Sequence, residues 1–243
     1  FPRRMNRTAV SLLLAGLSLA TPALAEPLDV AVGKALFDRR WVQAPASTRS
    51  ADGLGPLFSA QACATCHKAG GPARFVQNAD GLGSLGLVVR LGPEKGTPDP
   101  FYGRQIQERA IPGLVPEARV RPRLANAAPQ GLMEIDADLD LTGPALGEGI
   151  RKELRAAPSL LGRGLIADVD VSAILALADP DDRNGDGIRG RARMVPDGKG
   201  GMTLGRFGLK AGGASIAIQG GDAAPPDMGL SSPFHPEPAG DCT

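Results

Sequence analysis

The spacing of apolar positions predicts a chain in which helices alternate with long loops. In several segments apolar residues recur every three to four positions, as they do along one face of a helix. In the segment 29–41, Leu36, Phe37 and Trp41 fall on this face, whereas Lys34 does not. The same pattern predicts further helices, which cover residues 57–66, 104–111, 144–161 and 166–177.

The remaining apolar runs are short and predict a few strands. Residues 85–91 are apolar and partly β-branched, which is typical of a short strand or a buried extended segment. Within the otherwise irregular stretch 116–140, short strands are expected at 133–135 and 139–141. The chain has 33 glycines, 22 prolines and only 4% aromatic residues, so much of it should form turns and loops.

The first 25 residues have the pattern of a secretory signal. Arg7 precedes an apolar run over residues 9–20, and the small residues Ala23 and Ala25 then flank a single leucine. The run is too short to span a bilayer, and no later segment predicts a membrane span. Residues 1–4 precede a suitable initiator methionine and are interpreted as read-through from upstream. We therefore expect a protein that is exported to the periplasm.

The charge balance excludes some classes of partner. The signal segment carries three of the 27 basic residues and none of the 26 acidic ones, so the exported chain has a net charge of −2. Such a chain has no basic field that would favour nucleic acid or an anionic membrane surface. We expect neither as a partner.

Cys63, Cys66 and His67 form a C-x-x-C-H sequence, which is the attachment motif for c-type haem. Two thiols at this spacing can add to the two vinyl groups of one porphyrin, and the adjacent imidazole can bind the iron. Three other interpretations are open. The cysteines could form a redox dithiol, they could bind zinc together with His67 and Cys242, or the motif could arise by chance.

The haem motif and the predicted helices together predict the fold class. We expect a mainly α protein with a cytochrome c-like haem domain, long glycine- and proline-rich loops and a few short strands. After the signal at 1–25, residues 26–125 are predicted to form the haem-binding region. Residues 126–243 are the remaining part of the chain.

Several further motifs occur in one order along the chain, and together they resemble the di-haem oxidoreductase family. This family is often labelled thiol oxidoreductase and is related to bacterial di-haem cytochrome c peroxidases and MauG-like proteins. Apart from C-x-x-C-H, the motifs that carry the resemblance are LF at 57–58, DPFYGRQ at 99–105, RAIPG at 109–113, APSLLGRGLI at 157–166, DPDDRNGDGIRGR at 179–191, RFGLKA at 206–211 and DMG at 227–229.

The chain departs from the family in one respect. Family members carry a second C-x-x-C-H in a C-terminal half, whereas this sequence contains one such motif. We therefore expect a truncated member, in which a mechanism that needs two haems is incomplete.

The resemblance implies haem chemistry with a small-molecule oxidant or reductant and an electron-donor protein as partners. It implies a peroxidase-like oxidoreductase in which His67 is the proximal iron ligand. A polar residue on the distal side would then polarise the O–O bond, and Gln105 and Glu108 are the candidates. Both could instead belong to a solvated helix face, since Gln105 and Arg109 are four positions apart.

The sixth iron ligand decides between two functions. A methionine or a second histidine would give a non-catalytic electron carrier with a six-coordinate haem, whereas an open position permits catalysis. Met228 is the first candidate because it lies in one of the matching motifs. The other candidates are Met133, Met194, Met202 and His235. A third class of function, a zinc-stabilised binding module, would contain no haem.

A possible calcium loop lies in the C-terminal half. Asp182, Asn184 and Asp186 have the oxygen spacing of the first half of a calcium loop, but the twelfth position is Arg193 and not glutamate. An Asx-rich turn explains the same residues. Cys242 has no predicted partner in this chain.

Overall fold

The computed structural model describes residues 27–78, 81–93, 97–127 and 133–236, and the chain divides into two compact units, 1–36 and 37–243. The predicted signal and Cys242 lie outside the described residues. In the first unit, the described residues belong to helix α1, Pro27–Asp38, which agrees with the prediction at 29–41 except at its C-terminal end. Of the helices described, none combines the length and the apolar character needed to cross a membrane.

The described part of the chain contains five α-helices and thirteen short or medium-length strands. After α1, the helices are α2 (Cys63–Cys66), α3 (Arg163–Asp168), α4 (Val171–Leu175) and α5 (Ile216–Met228). The strands are β1 (Val42–Gln43), β2 (Asp52–Leu54), β3 (Leu57–Phe58), β4 (Arg74–Asn78), β5 (Gly81–Leu85), β6 (Leu87–Pro93), β7 (Gln105–Ile106), β8 (Arg109–Ala110), β9 (Ala118–Ala127), β10 (Met133–Leu141), β11 (Ile150–Ala156), β12 (Met194–Pro196) and β13 (Met202–Leu204).

The prediction of a mainly α fold is wrong. Of the described residues, about 30% are in strands and 24% in helices, and the strands form several small sheets. The three-stranded sheet has the order β11–β6–β7, with antiparallel neighbours, and the other sheets are two-stranded. The apolar residues of this chain are therefore buried largely through strand pairing.

The helix predicted at 144–161 is replaced by strand β11. This strand pairs with β6 along its whole length, from Ile150 opposite Pro93 to Ala156 opposite Leu87. Ile150 and Leu154 both pack on a cluster of buried apolar residues, here called the main cluster, which comprises Val89, Leu91, Tyr102, Ile106 and Ala118. Residues four positions apart lie on one face of a helix, but an even spacing also places them on one face of a strand. The pattern therefore did not distinguish the two structures, and pairing with β6 decides between them.

The helices predicted at 57–66 and 104–111 are also wrong in large part. Leu57 and Phe58 form β3, which pairs with β8, and only Cys63–Cys66 is helical in the first segment. In the second segment, β7 pairs with β6. Strands β3, β7 and β8 are each two residues long, so their conformation depends on distant partners and not on a local pattern.

The stretch predicted to be irregular contains the longest hairpin of the described residues. Strands β9 and β10 pair antiparallel, with Arg119, Arg121 and Arg123 opposite Asp140, Asp138 and Asp136. These charged residues alternate with apolar ones, and Val120, Leu139 and Leu141 pack on the main cluster. The two strands predicted at 133–135 and 139–141 are parts of β10. The strand predicted at 85–91 is confirmed as β6.

The helix predicted at 166–177 is interrupted. It forms α3 and α4, because Asp170 caps the second helix and its Oδ1 accepts a hydrogen bond from Ser172 N at 2.7 Å. Helix α5 was not predicted, since it contains Gly220, Gly221, Pro225 and Pro226. Its N-terminus is capped by Ser215, whose Oγ accepts from Ile218 N at 3.1 Å.

Two apolar clusters form the core of the second unit. The first is the main cluster. It comprises buried residues of β6, of β7 and of the turn between them, together with Ala118. The second brings the end of α5 against β2 and β3, through Leu54, Phe58, Met228 and Leu230. Cys63 packs on this second cluster, so the C-x-x-C-H motif lies at its edge.

Candidate functional site

The C-x-x-C-H motif forms a single helical turn. Within α2 the backbone N–H of His67 donates to the carbonyl of Cys63 at 3.0 Å, which closes the turn. Residues three and four positions apart lie on the same side of such a turn, so Cys63 is next to both Cys66 and His67. A 3₁₀ turn, Lys68–Gly70, follows directly, and Ala69 within it has a φ of 53°. The three residues of the motif are therefore presented by a single helical turn.

The imidazole of His67 is held by a backbone carbonyl from a distant segment. Its Nδ1 lies 2.9 Å from the oxygen of Pro158. Because a carbonyl only accepts, Nδ1 carries the proton and the Nε2 lone pair remains for another partner. This arrangement is typical of a histidine that ligates a metal, since a hydrogen bond to the other ring nitrogen fixes both the tautomer and the ring orientation.

The segment that holds His67 is itself anchored on both sides of the motif. Ala157 N donates to Gly86 O, and Ala73 N donates to Ala157 O, each at 2.8 Å. Leu160 N donates to Gly70 O at 2.8 Å. Three backbone hydrogen bonds therefore fix the segment that carries the Pro158 carbonyl.

The two cysteines are free and half-buried. Burial raises the pKa of Cys63, and it raises the pKa of Cys66 to about 11, with a further contribution from the negative charge of Asp227. Both side chains are therefore neutral thiols at neutral pH. Cys63 also contacts the apolar cluster around Met228.

Gln105, a predicted distal residue, is completely buried next to the motif. Its Nε2 lies 3.0 Å from Ser59 Oγ, 2.8 Å from Pro226 O and 3.1 Å from Asp227 Oδ1. Its Oε1 is buried without a hydrogen-bond partner. The side-chain amide of Gln105 is thus used to join β7 to the end of α5, and it keeps one free acceptor.

Glu108, the second predicted distal residue, is half-buried beside Cys66. Burial raises the pKa of Glu108, whereas a backbone hydrogen bond from Val120 and the charge of Arg109 oppose that rise. The charges of Arg109 and Glu108 both act on the Cys66 thiol. Glu108 therefore lies near Cys66, and Gln105 is bonded to Asp227; both lie on or beside strands and not on the predicted helix.

The candidates for the sixth ligand occupy different environments. Met228 is buried in the cluster on which Cys63 packs. Met194 and Met202 are exposed on β12 and β13. His235 is exposed, and its Nε2 lies 2.7 Å from Asp222 Oδ1. The Met133 side chain lies outside the described residues. Met228 is thus the candidate that the described structure places beside the motif.

Asp227 is a site residue that the sequence analysis did not identify. The negative charge of its carboxyl group contributes to the raised pKa of both Cys63 and Cys66, so Asp227 lies near the two thiols of the motif. It belongs to the matching segment 227–229, directly before Met228. Its place in this matching segment was the one feature of the sequence that pointed to it. Asp227 lies more than 150 residues from the haem motif, so its role was not recognised.

The possible calcium loop has its oxygens engaged with its own backbone. Gly187 N donates to Asp182, Asp186 N donates to Asn184 and Ile188 N donates to Asp186. The last two are Asx-turn contacts, whereas the first spans five residues. Across the ranges that the structure describes, no group of three or more His, Cys, Asp or Glu side chains is arranged to hold a metal ion. Calcium binding at these residues stays a prediction.

The residues of the motif fit a covalently attached haem. Two neutral thiols, an imidazole with a free Nε2 and an adjoining apolar cluster supply the chemistry that such a group requires. Cys242, which the zinc hypothesis needs, lies outside the described residues.

Comparison with known proteins identifies the C-terminal part of the chain. Residues 133–243 match the family model described as "Di-haem oxidoreductase, putative peroxidase". The match includes Pro158, which holds His67, and the segment 227–229, while C-x-x-C-H itself precedes it. This match over the C-terminal part of the chain agrees with the family resemblance predicted from the motifs. No curated protein and no solved structure matches this chain.

Proposed function

From the di-haem oxidoreductase match and the geometry around His67, we propose that this protein is a c-type haem oxidoreductase with peroxidase-like activity. In this proposal Cys63 and Cys66 hold the haem covalently and His67 is its proximal iron ligand. The observation that carries the proposal is the 2.9 Å contact between His67 Nδ1 and the Pro158 carbonyl. It leaves Nε2 as the one imidazole nitrogen that can bind iron.

The two thiols are suited to the attachment reaction. Each S–H group adds across a vinyl C=C bond: sulfur bonds to one vinyl carbon and hydrogen to the other, so the step needs no oxidant. Burial keeps both thiols protonated, as their raised pKa values indicate, and neither forms a disulfide. Their placement on one helical turn with His67 allows one porphyrin to reach all three residues.

Peroxidase-like chemistry requires a residue that can handle a proton near the iron. A haem held by Cys63, Cys66 and His67 would, with an open iron position, supply the centre at which peroxide is reduced by two electrons from the donor protein. We assign the proton-handling role to Glu108, whose carboxyl has a pKa raised by burial and lies near Cys66. Gln105 would contribute as a hydrogen-bonding residue, with its unpartnered Oε1 available as an acceptor.

The second candidate function is an electron carrier with a six-coordinate haem. One observation favours it: Met228 is buried in the same cluster that Cys63 contacts. A thioether ligand from Met228 would fill the position that peroxide needs. The two functions differ in whether the iron can bind an added ligand.

The test is an absorption spectrum of the protein after co-expression with a cytochrome c maturation system. We expect a Soret band and, after reduction, an α band. His67→Ala should abolish or strongly reduce this haem spectrum because it removes the proximal ligand. His235→Ala is the matched control, since it removes the other histidine of the chain, which is exposed and paired with Asp222. This control should retain covalent haem.

The same spectra distinguish the outcomes. High-spin features that change with cyanide or peroxide support the peroxidase-like function. A purely low-spin spectrum without such changes supports the electron carrier, and Met228 is then the first ligand to replace. The haem assignment is overturned if the wild-type protein shows no Soret band under these conditions.

We also propose that the protein acts in the periplasm. The signal pattern at 5–25 supports this proposal. The expected partners are a small-molecule oxidant or reductant and an electron-donor protein.

A further inference from the structure

We propose that the surface around Trp41 is the docking site of the electron-donor protein, and that this partner presents an acidic face. The surface comprises Arg39, Arg40, Trp41 and Arg49, and it is called the arginine surface here. This inference rests on the proposed haem function. It adds to that function the place where the donor binds and the charge that the donor carries.

Positive charge is concentrated in the part of the second unit that contains the haem motif. Residues 37–78 include five basic residues and two acidic ones, which gives this segment a net charge of +3. The exported chain as a whole has a net charge of −2. Three of the five basic residues belong to the arginine surface. Such an uneven distribution of charge steers a partner of opposite charge to one side of a protein.

Contacts within the chain bring the arginine surface together around Trp41. Arg39 Nη1 donates to the carbonyl of Ser50, the residue next to Arg49. The guanidinium carbon of Arg39 also lies 5.8 Å from the centroid of the Trp41 ring, which is a cation–π distance. Arg40 and Arg49 are exposed, and Arg39 is half-buried. The positive charges therefore belong to one accessible area and are not dispersed over the molecule.

Trp41 connects this surface to the haem motif. Its backbone N–H donates to Gln61 O at 2.8 Å, and Arg40 Nη2 donates to Gln61 Oε1 at 2.5 Å. Gln61 precedes Cys63 by two positions. The half-buried side chain of Trp41 packs on the second apolar cluster, on which Cys63 also packs. A partner on the arginine surface would therefore be separated from the haem-bearing thiol by this one cluster.

The residue types of the surface suit a redox partner that binds briefly. Arginine and tryptophan are enriched at protein–protein interfaces, and guanidinium groups pair well with carboxylates. Complementary charge mainly speeds the encounter of two proteins, which is what repeated electron delivery requires. In each encounter the donor is oxidised by one electron and the haem is reduced by one. Two such electrons and two protons reduce one hydrogen peroxide to two waters.

The experiment measures the binding of an acidic flavodoxin to the holoprotein by titration calorimetry. We expect the Kd to rise about tenfold when the salt concentration is raised from about 20 mM to about 200 mM, because surface charges are then screened. At low salt, the triple variant Arg39→Gln, Arg40→Gln, Arg49→Gln should also raise the Kd about tenfold. Its haem spectrum should match that of the wild type, since none of the three residues belongs to the haem site.

The matched control removes the same amount of charge from exposed arginines elsewhere in the second unit. It is the triple variant Arg183→Gln, Arg189→Gln, Arg191→Gln. Its Kd for the flavodoxin should stay within about twofold of the wild-type value, because the net charge is the same as in the first variant and only the position differs. The rate at which reduced flavodoxin reduces the haem, followed by stopped-flow absorption, should show the same order among the three proteins.

The outcomes separate this inference from the proposed function. A wild-type protein without a haem spectrum refutes the proposed function and the docking site with it. A haem-loaded wild type overturns the docking site alone if it does not bind the flavodoxin, or if both triple variants weaken binding equally. Binding to phosphatidylglycerol vesicles in place of the flavodoxin would identify a membrane surface and likewise overturn it.

A single substitution decides the case in which the first triple variant yields no haem protein. Arg49→Gln alone should raise the Kd about threefold at low salt, since it removes one of the three charges. An unchanged Kd in this variant overturns the inference.

Discussion

Asp99 closes the turn that precedes β7, and its carboxylate is almost fully buried at 4% exposure. Oδ1 accepts from Phe101 N at 2.9 Å and from Tyr102 N at 2.8 Å, and Oδ2 accepts from Gly147 N at 2.8 Å. Burial alone would raise the pKa of Asp99, but the three N–H donors outweigh it and hold the pKa below its usual range. The charged form is thus the one that the fold stabilises.

Replacement of Asp99 should produce a pH-dependent loss of stability. A carboxyl whose pKa is lowered by folding stabilises the protein above the unfolded pKa of about 4, and this contribution is lost as the pH falls. We expect Asp99→Asn to lower the free energy of unfolding by about 1.5–3 kcal/mol at pH 7. The difference from wild type should shrink at pH 3, as measured by urea unfolding at both values.

The control for Asp99 is Glu148→Gln, which neutralises an exposed carboxylate in the loop that follows β10. Its effect should be within about 0.5 kcal/mol at either pH. If Asp99→Asn lowers the free energy of unfolding by the same amount at pH 7 and pH 3, the charge of Asp99 does not contribute to stability.

At the scale of elements, the end of α5 is the part that assembles the site. Helix α5 ends at Gly229, which has a φ of 67° and lies against Gly55. A Cβ at Gly55 would lie 2.7 Å from Gly229 Cα, so the two backbones approach too closely for any side chain. This contact places Asp227 and Met228 beside the haem motif.

A methyl group at Gly55 should therefore destabilise the protein. We expect Gly55→Ala to lower the free energy of unfolding by about 1–3 kcal/mol, because backbone atoms must move apart. Gly92→Ala on β6 is the control, since a Cβ there has no heavy atom within 4 Å. The control should be neutral or slightly stabilising. Equal losses in both variants, measured by thermal or urea unfolding, would argue against the close contact.

At the scale of the whole molecule, the exported form is the species to characterise. We expect cleavage after Ala25, so that the mature chain begins at Glu26 and carries covalent haem. Intact mass measurement of the periplasmic fraction tests both expectations at once. Ala25→Arg, which disrupts the small-x-small pattern, should leave the signal attached. Haem protein that retains residues 5–25 in the wild type would contradict the export proposal.

The site shows which of its parts could be predicted from local sequence. The turn that presents Cys63, Cys66 and His67 lies within five residues, and it is the part of the helix predicted at 57–66 that the structure contains. The contacts of His67 with Pro158 and of Gln105 with Asp227 join positions 91 and 122 residues apart. No local pattern indicates such pairings, and therefore Asp227 was missed.

The sequence by itself determined the C-x-x-C-H motif and the ordered set of motifs that resembles the di-haem oxidoreductase family, because each depends on residue types at short, fixed spacings. The tertiary structure alone decided that Ile150–Ala156 forms a strand and that Leu57–Phe58 pairs with β8. It also decided that α5 ends beside the motif. The physical reason is that short apolar segments satisfy their backbone hydrogen bonds with whichever partner the rest of the fold supplies.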